Sequence, residues 1–202
     1  HLSLILISFP ITCIILSILV FAYGDSAAKI ANFEGIRIVD YFKNIPAVLK
    51  DATIFGLLFS LFIILSVICF DFYFIEHKTM GYAFIGAIIL WLDVFVLLAL
   101  QWFIPIRSLM KNNLKKCLKK SFIILFDNTG FTIMIALYNF VLLILSIFFI
   151  GLVPAMTGIL ISCTNALRLR LYKYDYLEEH PELTTKKERK NIPWEELIYE
   201  DR

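Results

Sequence analysis

Five apolar runs dominate the chain: Leu2–Tyr23, Ile54–Ile75, Tyr82–Pro105, Phe131–Ile150 and Val153–Leu171. Each is close to the ~20 residues that carry an α-helix across ~30 Å of hydrocarbon. Such runs leave few folds open. In lipid every backbone N–H and C=O must be satisfied within the protein, so only helices or closed barrels can span. A barrel strand would be ~10 residues of alternating polarity, and these runs do not alternate. Composition points the same way. Of 202 residues, 60% are hydrophobic and 18% charged, against about 45–50% and about 25% in a soluble domain. The expected fold class is therefore all-α: a polytopic helical membrane bundle with about five transmembrane helices in one domain, residues 1–172. A charged tail, residues 173–202, follows it.

The segments between the runs set an expected orientation. The first carries Lys29, Arg37, Lys43 and Lys50, and the third carries Arg107, Lys111, Lys115, Lys116, Lys119 and Lys120. The end of the last run adds Arg168, Arg170 and Lys173, whereas the second connection holds only Lys78 and the fourth no base. By the positive-inside rule the basic connections and the C-terminus belong in the cytoplasm of a cell, with the spans in its inner membrane. Two basic segments also show helical periodicity. Ile106, Leu109, Met110, Leu114, Cys117, Leu118, Phe122 and Leu125 recur at spacings of three and four, with the bases opposite. This predicts an amphipathic helix near 106–126, lying in the inner interface after Pro105 ends the preceding span. A weaker stripe of Ile38, Tyr41, Phe42, Ile45, Val48 and Leu49 predicts another near 36–50, interrupted at Pro46. The basic face of the first suits three roles: a topology anchor, a docking surface for a membrane transport complex, or a site for anionic lipids of the inner leaflet, where each base contributes about 1 kcal/mol.

Asp93, in "LWLDVFVLL", lies near the middle of the third run. A carboxylate there costs at least about 2.5 kcal/mol to insert, so it faces the bundle interior. Two roles fit. It is a cation or proton site, grouped with Asn139, which counting places at a similar depth, and Thr164, or it is a protonated carboxyl bonded to a neighbouring span through Asn139 or Thr164, since apolar burial favours the neutral form. Ser162, Thr164 and Asn165 read as hydrogen-bonding glue between helices. Asp71 and His77, near the outer end of the second run, are either a proton relay or a solvated helix end.

"LKDAT" at 49–53 and "LFDNT" at 125–129 each open a span, and each span later reaches "ILS", at 64–66 and 144–146. Asp and Thr there are expected to cap the first turn. The echo reads either as an internal duplication of parallel repeats or as a common demand of entering lipid. "FPIT" at 9–12 echoes "VPAMT" at 153–157. A turn at 9–12 would make Leu2–Ser8 the end of a span that begins upstream of His1, instead of one span over Leu2–Tyr23. The first run lacks the basic flank and the cleavage site of a signal peptide.

The stretch "QWFIPIRSLMKNNLKKCLKKSFIILFDN", 101–128, resembles the YesL-like family of bacterial membrane proteins. The likeness rests on Trp102-Phe103-Ile104-Pro105, the Leu-Lys segment after it and Asn128, with "FDFYFI" at 70–75 and "FPIT" in support. It covers most of 9–167. It implies association with carbohydrate uptake and an additional span before the Phe-Pro turn, and it supplies no catalytic residues.

The remaining chemistry is sparse. Cys13, Cys69, Cys117 and Cys163 stand far apart in sequence, with no histidine at ligand spacing, so no metal or other cofactor is expected. There is no Ser-His-Asp set, HExxH, Walker loop, glycine series or zinc spacing. Nucleic acid is not an expected partner, because the bases lack stacking aromatics on their own face. The tail is expected to be flexible, with Trp194, Leu197 and Ile198 on one side of a short helical turn. The expected function is that of a non-catalytic membrane component, accessory to or regulating carbohydrate uptake and docking through its basic face. The alternative is a small transporter or channel component that uses Asp93.

Overall fold

The computed structural model describes residues 2–77, 79–149, 155–182 and 192–194, apart from the side chains of 2–7, 38 and 155. Its described residues form an all-α helical bundle without strands: α1 Leu2–Ala31, α2 Ile38–Phe70, α3 Met80–Leu100, α4 Phe103–Met110, α5 Leu114–Asp127, α6 Thr129–Phe148 and α7 Ala155–Glu179. A π-helical turn, Asp71–Glu76, continues α2. Among the described residues four segments are long and apolar enough to cross a membrane: Ser8–Ala31, Val39–Glu76, Met80–Met110 and Thr129–Phe148. The fifth expected span falls on α7, whose described residues do not reach that standard. Ser162, Thr164, Asn165, Arg168 and Arg170 interrupt its apolar run. The helix also runs on to Glu179, past the boundary expected at 173. Val153 and most of the tail lie outside the described residues.

α1 is the hub. It packs along α2 and against α7 and α4, and 39% of its most apolar window is buried against 11% in each of the other three spans. The core gathers where α1 ends: Phe21, Val48, Trp102, Ile106, Cys117 and Leu167 are almost wholly enclosed. This is the end of the bundle that carries the bases. The opposite two-thirds of α2, α3 and α6 leave Leu58, Val67, Leu92, Leu137 and Phe140 exposed, as suits helices solvated by lipid. Gly56 lets α1 and α2 touch backbone to backbone. A Cβ there would lie 2.8 Å from Ile14 Cα and 3.0 Å from the Cys13 carbonyl oxygen.

Several local expectations are overturned. The helix near 36–50 is not separate from the span after it. α2 is one helix of 33 residues with Pro46 inside it. Tyr41, Ile45, Val48 and Ala52 keep one face against α1 through the proline, so packing outweighs the ~3 kcal/mol a mid-helix proline costs. Asp40 opens α2, accepting the Arg37 N–H at 3.1 Å. α1 likewise passes through Pro10 as one helix, so residues 9–12 form no turn.

The helix near 106–126 is two helices. α3 already ends at Leu100, and Pro105 sits in the first turn of α4, where its missing N–H would have no intrahelical partner anyway. α4 stops at Lys111, which adopts the left-handed region at φ 49°, and Asn113 starts α5 in an extended conformation. The apolar phase slips across this break. Cys117, Ser121, Ile124 and Leu125 are buried, while Leu118 is exposed. The capping of "LKDAT" also fails, since Thr53 lies within α2 and donates to the Leu49 carbonyl at 2.7 Å. Thr129 makes the matching bond to Leu125 at 2.8 Å, and the Asn128 side chain makes no cap bond to α6.

Candidate functional site

Chemistry concentrates at the basic end, in two neighbouring places. One is the outward face of α5. Burying Cys117, Ser121, Ile124 and Leu125 fixes the rotation of this helix, and burial pushes the Cys117 thiol up from its ordinary value. Lys115, Lys116 and Lys119 are thereby turned outward, and Lys111 precedes them; all four are exposed. No carboxylate lies within ion-pair distance of any of them among the described residues. Lys120 is half-buried, with its ammonium 3.3 Å from Met110 Sδ.

Arg107 does not belong to that face, contrary to expectation. It points inward, and its side chain is only 12% exposed. Its Nη1 donates to Asp25 Oδ1 at 3.0 Å, and its Nε lies 3.7 Å from Asp51 Oδ2. The guanidinium also covers the Phe21 ring, 4.9 Å from the centroid. α4 puts it there because Phe103, Ile104 and Ile106 bury the rest of the short helix. One arginine thus ties α4 to α1 and α2. The sequence groups it with its neighbours in the chain, gives Asp51 only a capping role and gives Asp25 none. A usable signal was present for one of them: Asp25 stands near the C-terminal end of the apolar helix α1.

The triad lines a polar cavity of about 480 Å³, together with Lys29, Glu34, Asn44, Ser108 and Asn112. The amide nitrogens of Asn44 and Asn112 and the Ser108 hydroxyl are enclosed there without a protein partner. Three acids and the bases Lys29, Arg107 and Lys111 balance in the lining, so the cavity suits water or a net-neutral polar solute.

The expected intramembrane set does not come together. Asp93 is half-buried and lines a cavity of about 10 Å³ between α2 and α3, beside Ser66, Cys69 and Phe74. That is room for about one water. No side chain among the described residues bonds to its carboxylate. Asn139 lines a different cavity, of about 360 Å³, shared by α3, α6 and α7. Its amide is committed to α7: Ser162 Oγ donates to Oδ1 at 2.8 Å, and Nδ2 lies 3.1 Å from Cys163 Sγ. Thr164 Oγ1 donates to the Leu160 carbonyl of its own helix at 2.6 Å. At the other end of the bundle, Asp71 makes no bond to His77, whose ring packs on Phe72 and Tyr82 with centroids 4.5 and 4.6 Å apart.

A second polar cluster joins α5, α6 and α7. Asn128 Nδ2 donates to Tyr174 Oη at 2.6 Å and to Asp127 Oδ2 at 2.9 Å. Tyr174 in turn donates to Asp127. Burial, followed by the bond to this carboxylate, pushes the Tyr174 hydroxyl up to about 12. Arg170 lies 3.7 Å over the Phe131 ring, and Arg168 donates to the Ala31 carbonyl. These cations are packed against the bundle. The α5 lysines are not. Compared with known proteins, the chain matches no family model, no curated protein and no solved structure.

Proposed function

We propose that the protein is a non-catalytic integral membrane component that docks through the lysine face of α5 at the cytoplasmic side of a cell membrane. The observation that carries this reading is the division of the basic segment. Arg107 is consumed by Asp25 and Asp51, whereas Lys111, Lys115, Lys116 and Lys119 remain exposed without acidic partners among the described residues. Cations left uncovered in one patch attract anionic surfaces, by about 1 kcal/mol each near an anionic leaflet. The cytoplasmic assignment draws on the positive-inside rule. For the partner beyond lipid we propose a membrane transport complex of carbohydrate uptake; support for this comes from the likeness of residues 101–128 to the YesL-like family. The test reverses Lys115, Lys116, Lys119 and Lys120 to Glu in the full chain. Binding of anionic vesicles to the detergent-solubilised protein should fall steeply and lose its salt dependence. Unchanged binding overturns the reading.

A second reading makes the protein a small transporter or channel component working through Asp93. It is favoured by a carboxyl with no partner among the described residues, beside a one-water cavity within the apolar part of the bundle. Asp93→Asn should then abolish cation or proton flux in proteoliposomes, and absence of flux in the unaltered protein overturns it.

A further inference from the structure

Beside the lysine face lies a groove of about 430 Å³ between α2, α3 and α5. Its walls are apolar: Ile54, Leu58 and Phe62 along α2, Val96 and Leu100 on α3, and Leu118 on α5. The single charged residue in the lining is Lys115. The groove is open along its side, since Leu58 is 60% exposed and Leu118 42%. From Ile54 to Phe62 it follows α2 for ~12 Å, given 1.5 Å per helical residue. That is most of the ~15 Å depth of one leaflet.

Its two ends differ in a way that names an occupant. Both ends lie within the span Val39–Glu76, with Phe62 deeper along it from its Val39 start than Ile54. The Lys115 end meets the basic face, where Lys119 stands one helical turn from Lys115 on the same side. An apolar slot running into a span, with an unpaired cation at its mouth, is complementary to an acyl chain bearing an anionic head. We infer that the groove between α2, α3 and α5 binds one anionic phospholipid, its phosphate held by Lys115 and Lys119 and its acyl chain lying along Leu58 and Phe62. The inference rests on the membrane orientation proposed above and gives the docking face a specific ligand. A neighbouring protein helix is a weaker fit, because the groove offers one cation and no hydrogen-bonding rim.

The test counts lipids retained by the detergent-solubilised full chain in native mass spectrometry, after exposure to phosphatidylglycerol or phosphatidylcholine. The unaltered protein should keep one phosphatidylglycerol, with about tenfold preference over phosphatidylcholine, as one or two interfacial lysines supply. Lys115→Gln should weaken the preference, Lys115→Gln with Lys119→Gln should remove it, and both should leave residual binding of both lipids. Leu58→Trp fills the slot without touching a charge and should lose both, while Leu137→Trp, on the exposed side of α6, should lose neither. Equal retention of the two lipids by the unaltered protein, or equal behaviour of Leu58→Trp and Leu137→Trp, overturns the inference. The docking reading fails separately. Should lysine reversal leave vesicle binding unchanged while Leu58→Trp still sheds its lipid, docking falls and the groove stands. The reverse pattern leaves docking and removes the groove.

Discussion

Replacing Arg107 by Met tests whether the buried triad, and not the basic face, is where this residue acts. Met keeps much of the aliphatic volume and removes the charge. Breaking a fully buried ion pair costs about 3–5 kcal/mol, because the abandoned charge stays buried. Here the acids keep some water, with side-chain exposures of 28% for Asp25 and 38% for Asp51. The 3.7 Å approach to Asp51 is an ion pair without a hydrogen bond, so its share is small. The expected loss is about 2 kcal/mol, dominated by Asp25 and by the lost cover on Phe21. In reversible unfolding from mixed micelles that is a roughly thirtyfold change in the folding equilibrium. Lys115→Met, from the same basic segment, should change stability by less than about 0.5 kcal/mol. Adding Asp25→Asn and Asp51→Asn to Arg107→Met should restore most of the loss, since neutral groups of the same shape need no counter-charge. If Arg107→Met were no more damaging than Lys115→Met, or if the triple variant were the worst of the set, the triad would not be holding α1, α2 and α4 together.

Three further outcomes follow from the packing. Gly56→Ala puts a Cβ 2.8 Å from Ile14 Cα; overpacking against backbone outweighs the better helix propensity, and a net loss of about 1 kcal/mol is expected in the same unfolding assay. Trp102→Phe removes the 3.1 Å bond from the indole N–H to Thr132 Oγ1 at a wholly buried site, and should cost about 2 kcal/mol. Tyr174 gives a pH signature. An unfolded tyrosine releases its proton near pH 10, whereas the folded one holds it to about 12. Between those values the unfolded chain binds fewer protons, so stability falls as pH rises through that window. Thermal melts from pH 9 to 12 should show a steeper decline for the unaltered protein than for Tyr174→Phe, and parallel declines would refute the assignment.

Hydropathy located four of the five expected spans because it is a local property. α6 covers the expected Phe131 onset almost to the residue, and α2 with its π-helical turn covers Ile54–Ile75. Helix ends were less legible. Proline was read as punctuation at Pro10, Pro46 and Pro105, yet it interrupts none of the three helices that contain it. At Pro46 a neighbour packed along the helix outweighed a local preference. The break that does occur, at Lys111–Asn113, was written only in two asparagines of modest helix propensity. Of the site residues, the outward lysines were readable from α5 periodicity, because a helix with one buried face must show the other.

By itself the sequence determined the helical class and pointed to lipid as the medium. Long unbroken apolar runs have no low-energy state in water, and in lipid only hydrogen-bond-complete helices carry them across. The order of runs and bases then settled which end of the bundle is positive. Only the tertiary structure decided which of those positive charges are free. Arg107 and Asp25 stand 82 residues apart, and nothing local distinguishes that arginine from the lysines after it. Their pairing exists because α1, α2 and α4 converge and withdraw the Arg107 guanidinium from most of the solvent, so that its charge needs an opposite one. A second convergence, of α2, α3 and α5, opens the slot beside Lys115, which no single helix contains.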